Sequence, residues 1–137
     1  MKRLKLILVI YLLLFNLISI YIYEPKVPWL LIYPFFNKRS REVQKKYNIR
    51  TVNEKDNFIS KIKNKLRNNT YIFMENDYPY NVNAKHYILW LQYYLENEKI
   101  NQIIKHELYN KSYIYYENPI NIRSIPEIIH YHIFSKN

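Results

Sequence analysis

The pattern of hydrophobic and polar positions separates an apolar N-terminal stretch from a longer, mixed remainder. Residues 6–23 are eighteen positions without a charge. A helix of that length covers about 27 Å at ~1.5 Å per residue, close to the hydrocarbon thickness of a thin bilayer. The pattern therefore predicts a transmembrane helix over about residues 6–23, within a membrane anchor formed by residues 1–26.

The charges beside this stretch indicate how it would be oriented. Lys2, Arg3 and Lys5 precede it, and the positive-inside rule keeps them in the cytosol. The C-terminal domain is then expected on the far side of the membrane, although the basic residues within 38–46 favour the opposite orientation. A cleaved signal peptide and a buried core helix are the alternatives, but no small-x-small cleavage site follows. We predict a single-pass membrane protein.

Helical spacing appears in three places after the anchor. Ser40 is suited to cap a helix over residues 41–47, and Asn53 a second helix that ends before residue 68. A third helix is predicted over residues 96–108. The second and third helices each have one apolar face, made by Phe58, Ile59, Ile62 and Leu66 and by Ile100, Ile103, Ile104 and Leu108.

Strand-like segments occupy most of the remaining C-terminal half. Segments rich in β-branched and aromatic residues cover 70–76, 85–94, 111–118 and 128–134. With the helices between and before them, they predict a single α+β domain over residues 27–137. Its helices precede a β-β-α-β-β unit with a largely antiparallel sheet.

Composition narrows the possible functions without identifying one. The net charge is +10, but the basic residues are spread along the chain, so no nucleic-acid partner is expected. The absence of Cys excludes disulfides and thiolate chemistry, and the absence of Gly excludes glycine-rich phosphate loops. The 17 Asn residues are the side chains best suited to replace Gly at turns with positive φ.

The last predicted strand carries the sequence "IIHYHIF", in which two histidines alternate with apolar residues. One face of this strand would carry His130, His132 and Phe134, and the other Ile129, Tyr131 and Ile133. The second set is suited to a core, so we expect the histidine face to point outward or into a cleft. Neutral imidazole is a nucleophile, a general base and a metal ligand near pH 7.

Two other interpretations of the same residues stay open. Histidines on an exposed strand face are often ordinary polar side chains without a chemical role. Alternatively, His86, His130 and His132 could be three zinc ligands with an open fourth position. In that case Asp77 or Glu127 would support a ligand or act as a base.

Four separated motifs suggest a relationship to a known family. They are Asn-Asp-Tyr-Pro-Tyr at 76–80, His-x-hydrophobic-hydrophobic-Trp at 86–90, Asn-Pro at 118–119 with Ser124, and His-x-His at 130–132. Together with Arg39, Ser40 and Tyr47, they resemble the N-acetylglucosamine-induced protein family, which is defined as a domain of unknown function. The resemblance covers about residues 27–137 and leaves out the anchor.

The order of elements is also similar to that of the histidine-triad superfamily of nucleotide hydrolases and transferases. By that similarity, His132 would be the nucleophile that attacks phosphate, and His130 would support it. The chain departs from the superfamily pattern because Phe134 replaces the third histidine and "NPINIRSIP" replaces the glycine-rich loop. Arg123 would then supply charge to phosphate in place of the missing backbone amides.

We therefore expect a membrane-anchored domain that binds or processes a phosphate-bearing ligand, such as a nucleotide or a sugar phosphate. The alternative is a non-catalytic domain that has a structural or protein-interaction role at a membrane. The catalytic candidates are His130 and His132. The candidate ligand-binding residues are Asn76, Asp77, His86, Asn118, Arg123 and Ser124.

The predicted anchor has a direct biochemical test. The full-length protein should stay in the membrane fraction through a sodium carbonate wash and should keep its full molecular mass. Release into the supernatant, or a mature chain that starts near residue 24, would contradict a single-pass anchor.

Overall fold

The structure is a computed structural model, and it describes residues 39–136. The predicted anchor, transmembrane helix included, and residues 27–38 lie outside the described residues. No helix within the described range has both the length and the apolar composition needed to cross a membrane. The elements in chain order are α1 (Arg41–Asn53), α2 (Lys55–Leu66), β1 (Tyr71–Glu75), β2 (Lys85–Leu91), α3 (Asn97–Glu107), β3 (Tyr113–Tyr116), a 3₁₀ turn (Ile120–Ile122) and β4 (Ile129–Ser135).

The four strands form one antiparallel sheet in the order β1-β2-β4-β3. β2 and β4 are the central pair, and their register places His86 opposite Phe134, Ile88 opposite His132, and Trp90 opposite His130. The predicted α+β class and the β-β-α-β-β order are confirmed. The chain passes from β2 through α3 to the far edge, so β4 enters between β2 and β3.

Helices cover both faces of the sheet, and each face has its own hydrophobic cluster. On one face, α3 packs against alternate residues of β2 and β4. On the other face, α2 packs against the side that carries Trp90. The buried residues of the two clusters are Leu89, Leu91, Ile100, Ile103, Ile104, Leu108, Tyr131 and Ile133 in the first, and Ile59, Ile62, Leu66, Trp90, Ile125 and Ile128 in the second.

The helix boundaries differ from the sequence-based ones at the junction of the first two helices. Ser40 caps α1 as predicted, with its Oγ accepting from the Val43 N–H at 3.3 Å. The helix continues to Asn53, however, and the cap position of α2 is Glu54 rather than Asn53. After α3, Asn110 adopts a φ of 60°, which is the use of Asn in place of Gly that the composition suggested.

The expected orientation of β4 is half right. Tyr131 and Ile133 face the core on the α3 side, and Ile129 is half-buried there. The opposite face was expected to point outward or into a cleft. It does not point outward, because Tyr80 and Tyr116 stack on His132 and Phe134, but His130 and His132 do line a cavity. His130, His132 and Phe134 are all buried. Strict alternation predicts one exposed face only when a sheet has a single covering layer.

Burial on both faces of β4 gives a stability prediction. Ile133→Ala should lower the free energy of unfolding by about 2–4 kcal/mol and Phe134→Ala by about 3–5 kcal/mol, because each leaves a cavity in a packed layer. Val52→Ala is the control, since this side chain is 83% exposed and its change should stay within about 0.5 kcal/mol. Urea denaturation measures all three. If Phe134→Ala lowered the free energy of unfolding no more than Val52→Ala does, the histidine face of β4 would not be covered.

Candidate functional site

The three histidines of β2 and β4 lie on the same face of the sheet. His86 Nε2 lies 2.9 Å from His132 Nδ1, so the two rings share a hydrogen bond across neighbouring strands. His130 lies on the Trp90 side of His132, and its Nδ1 is 2.8 Å from the carbonyl oxygen of Ile128. Antiparallel pairing of β2 with β4 and the alternation of side chains along each strand put His86 beside the His-x-His pair.

The loop between β1 and β2 closes over His86. The Tyr80 N–H donates to His86 Nδ1 at 3.1 Å, and the Asn76 amide nitrogen lies 3.2 Å from the same atom. Asn76 is held in turn, because its Oδ1 accepts from the Tyr78 N–H at 2.9 Å. The segment "NDYPYN" therefore forms a turn, as its composition predicts, and the turn supplies polar partners to a buried histidine.

Asn118 contacts the other end of the pair. Its side-chain amide lies 3.0 Å from His132 Nε2, and the loop after β3 brings it there. The chain of contacts thus runs from Tyr80 through His86 and His132 to Asn118. It gives partners to all four ring nitrogens, which is the condition for burying imidazoles at low cost.

Burial keeps these rings neutral. His86 is 1% exposed and His132 is 5% exposed. Desolvation, reinforced by His132 and Arg39, lowers the pKa of His86 to about 2. Desolvation, reinforced by His130 and Arg39, lowers the pKa of His132 to about 3. The pKa of His130 is also lowered, mainly by burial and further by Arg123, although the Ile128 carbonyl and Glu117 oppose the shift.

A cavity of about 100 Å³ adjoins the His-x-His pair. Its wall combines the histidine face of the sheet with the loops before β2 and β4 and with residues of α1. Glu75 and Asp77 also line it, and both are exposed to solvent. The other lining residues are Arg39, Tyr47, Arg50, Phe58, Met74, Asn76, Tyr78, Tyr80, Ile88, Trp90, Asn118, Ile122, Ser124, Ile125, His130 and His132.

Two arginines of this wall are held by aromatic rings. The Arg39 Cζ lies 3.9 Å from the Tyr47 ring centroid, and its Nε donates to the Tyr78 carbonyl at 2.9 Å. The Arg50 Cζ lies 4.1 Å from the Phe58 ring centroid and 4.7 Å from that of Tyr78. Stacking of this kind fixes a guanidinium while leaving N–H groups at its edge for a planar or tetrahedral anion.

Neither of these arginines is neutralised by a carboxylate within residues 39–136. The ion pairs of that part of the chain join Lys46 to Glu42, Arg123 to Glu117 and, when the histidine is protonated, His106 to Glu107. The cavity wall also contains two buried donor atoms without a hydrogen-bond partner among the described residues, Arg50 Nε and Trp90 Nε1. An unsatisfied buried donor costs about 1–3 kcal/mol.

Most of the candidate residues from the sequence meet at this cavity, and two do not. His130, His132, Asn76, Asp77, Asn118 and Ser124 line it, whereas His86 lies behind His132. Arg123, expected to supply charge to phosphate, pairs instead with Glu117 at 2.7 Å and donates from Nε to the Asn118 carbonyl at 2.6 Å. It holds the loop that carries Asn118.

The geometry does not form the three-histidine zinc site that was the alternative. His86 and His132 direct nitrogens at each other, and His130 directs Nδ1 at a backbone carbonyl. Three nitrogens therefore do not converge on one point. More generally, no group of three His, Cys, Asp or Glu side chains in residues 39–136 is arranged to hold a metal ion.

The cationic side of the cavity was not identified from the sequence. Arg39 and Tyr47 are singled out only by the family resemblance, and the predicted first helix ends at Tyr47, before Arg50. In α1, Tyr47 and Arg50 are three residues apart and share a helix face. A helix continued to Asn53 would have placed them together. Nothing local in the sequence indicates that this face lines the same cavity as His130 and His132.

Comparisons with known proteins support the fold alone. The crystal structure of a protein named HTC1 is similar, with a TM-score of 0.54 over 73% of this chain and 76% of that chain. The two sequences are 19% identical over this alignment, so the similarity concerns the arrangement of elements and not the chemistry. No protein-family model matches the sequence, and no curated protein matches it.

The lowered histidine pKa values give a prediction for stability against pH. Unfolded His86 binds a proton near pH 6.5 and folded His86 only near pH 2, so its contribution is complete above pH 6.5 and is lost as pH falls below it. His86→Gln keeps an acceptor and a donor but cannot titrate. Between pH 6.5 and 5, the free energy of unfolding should fall less steeply with pH in the variant than in the wild type. The difference in slope should be up to about 1.4 kcal/mol per pH unit.

Denaturant titrations at several pH values measure this slope. His106→Gln is the matched control, because the His106 side chain is 81% exposed and does not contact His86, His130 or His132. An unchanged slope in the His86 variant would show that the folded ring takes up a proton as readily as the unfolded one, and would contradict the lowered pKa.

Proposed function

We propose that this protein is a membrane-anchored domain that binds a phosphate-bearing small molecule, a nucleotide or a sugar phosphate, with the phosphate group in the cavity beside His130 and His132. The observation that carries the proposal is the pair of guanidinium groups, Arg39 and Arg50, that line the cavity without a carboxylate partner in the described part of the chain.

The charge arrangement favours an oxyanion as the bound group. Arginine presents several N–H donors in a fixed plane and forms strong, charge-assisted hydrogen bonds to phosphate oxygens. The rings of Tyr47 and Phe58 hold the two guanidinium groups, which lowers the entropy that binding would cost. The carboxylates of Glu75 and Asp77 are exposed, so solvent screens them from an anion held deeper in the cavity.

The cavity is large enough to enclose one end of a ligand but not a whole nucleotide or sugar phosphate. About 100 Å³ is the volume of roughly three water molecules, which suits a phosphate group. Sites that enclose a complete cofactor or drug-sized molecule occupy about 300–1,000 Å³. In our proposal the nucleoside or sugar part therefore lies outside, against the exposed rim.

The resemblance to the histidine triad supports binding more than group transfer. The position of the third histidine is Phe134, which is 0% exposed and stacks on His86 with ring centroids 4.2 Å apart. A phenyl ring neither donates nor accepts a proton, so one member of a triad mechanism is absent from its place. The remaining polar groups are sufficient to bind a phosphate without transferring it.

A binding comparison between two arginine variants tests the proposal. Arg50 lines the cavity, whereas Arg41 lies on the same helix, is exposed and does not line it. We expect Arg50→Gln to weaken the binding of inorganic phosphate, nucleotides or sugar phosphates about tenfold to a hundredfold, the value of a charge-assisted hydrogen bond. Arg41→Gln should change it less than twofold. Calorimetry and the ligand-induced rise in Tm measure both.

Comparing the Arg50 and Arg41 variants distinguishes a specific anion site from the general attraction of anions to a protein of net charge +10. Equal weakening by both substitutions would indicate non-specific electrostatics. No saturable binding across the whole panel would contradict the proposal and favour the non-catalytic interaction domain.

A further inference from the structure

The hydrogen bonds around His86 determine where its proton lies. Two donors meet at His86 Nδ1: the Tyr80 N–H at 3.1 Å and the Asn76 amide at 3.2 Å. The Asn76 amide is oriented because its Oδ1 already accepts from the Tyr78 N–H, and its nitrogen also lies 3.3 Å from His86 Nε2. A backbone N–H can only donate, so Nδ1 must carry the lone pair and Nε2 the proton.

The proton position on His86 also determines the proton position on His132. The His86 Nε2–H donates to His132 Nδ1 at 2.9 Å, so the lone pair of His132 is at Nδ1 and its proton is at Nε2. The Asn118 amide, 3.0 Å from His132 Nε2, must then present its oxygen to that proton. The oxygen and the NH₂ of an amide have nearly the same shape, so a half-turn of Asn118 achieves this without other movement.

His130 has the opposite assignment. Its Nδ1 lies 2.8 Å from the Ile128 carbonyl oxygen, which can only accept, so the proton is at Nδ1 and the lone pair at Nε2. That contact is the hydrogen bond that the His130 ring makes within residues 39–136. The ring lines the cavity and packs on Trp90 with centroids 4.8 Å apart.

We propose that His130 and His132 are fixed in opposite tautomers, so that His130 is the acceptor of the cavity and selects a phosphate group that retains a proton. The proposal rests on the function proposed above. The hydroxyl of a hydrogen phosphate donates to His130 Nε2, while its unprotonated oxygens accept from Arg39 and Arg50. His130, rather than His132, is then the histidine whose lone pair is available to a ligand.

This arrangement predicts discrimination between two similar anions. Sulfate and phosphate have the same shape, but sulfate carries no proton at neutral pH and leaves the His130 lone pair unpaired. A site built to hydrogen-bond a ligand hydroxyl strongly rejects an analogue that lacks it, because the buried partner stays unsatisfied. A cavity that bound anions through its arginines alone would accept both.

Nitrogen-15 NMR of the full-length protein, labelled at histidine and purified in detergent, tests the tautomers without any ligand. We expect the proton on Nε2 in His86 and His132 and on Nδ1 in His130. The exposed His106 is the reference for a histidine that is not held in one tautomer. The same tautomer in His130 and His132 would overturn the proposal.

Titration with inorganic phosphate and with sulfate at pH 7 and equal ionic strength tests the selectivity. We expect phosphate to bind at least tenfold more tightly in the wild type. His130→Phe keeps a ring against Trp90 but removes the acceptor, and it should abolish most of this preference, whereas the control His106→Gln should keep it. Equal affinity for both anions in the wild type would overturn the selectivity and leave the proposed function standing. Binding of neither anion would overturn both.

Discussion

Burial of three imidazoles on one covered face of the sheet is the constraint on which the site depends. β2 and β4 are covered on both faces, so the histidines they carry have almost no water to bind. A charged imidazole would be strongly disfavoured there, and a neutral one is acceptable only if its polar atoms have partners. His86 and His132 meet this condition through each other, through Tyr80 and Asn76, and through Asn118. The surrounding loops therefore follow from the need to satisfy these rings.

The same loop also explains how two arginines come to line the cavity. The loop that closes over His86 also brings the Tyr78 carbonyl to Arg39 and the Tyr78 ring to Arg50. Aromatic rings replace carboxylates as the partners of these two guanidinium groups, so their charges stay available. A carboxylate in the place of Tyr47 or Phe58 would have neutralised them and removed the attraction for an anion.

Arg123 shows that a basic residue near the histidines can hold a loop in place instead of binding a ligand. Its ion pair with Glu117 and its hydrogen bond to the Asn118 carbonyl link the loop after β3 to the segment before β4. Asn118 is held by this loop against His132, so Arg123 acts on the site through position rather than by contact. A basic residue near a histidine motif is therefore not by itself evidence of a phosphate ligand.

The local patterns of the sequence determined the element order, because each depends on neighbours within a few residues. Ser40 capping α1, the apolar faces of α2 and α3, and the four strands were all predictable in this way. These features required no knowledge of what lies above the sheet.

Tertiary structure alone decided which faces are covered and which charges reach the cavity. Alternation in β4 assigns side chains to two faces but cannot say that α2 and the loop before β2 cover the histidine face. Arg50 joins the cavity because α1 continues past Tyr47 and brings its guanidinium against the rings of Phe58 and Tyr78, and the contact with Tyr78 has no local signal in the sequence. The proton positions on the histidines depend on the donors and acceptors that meet them, and those partners come from segments up to 46 residues apart in the chain.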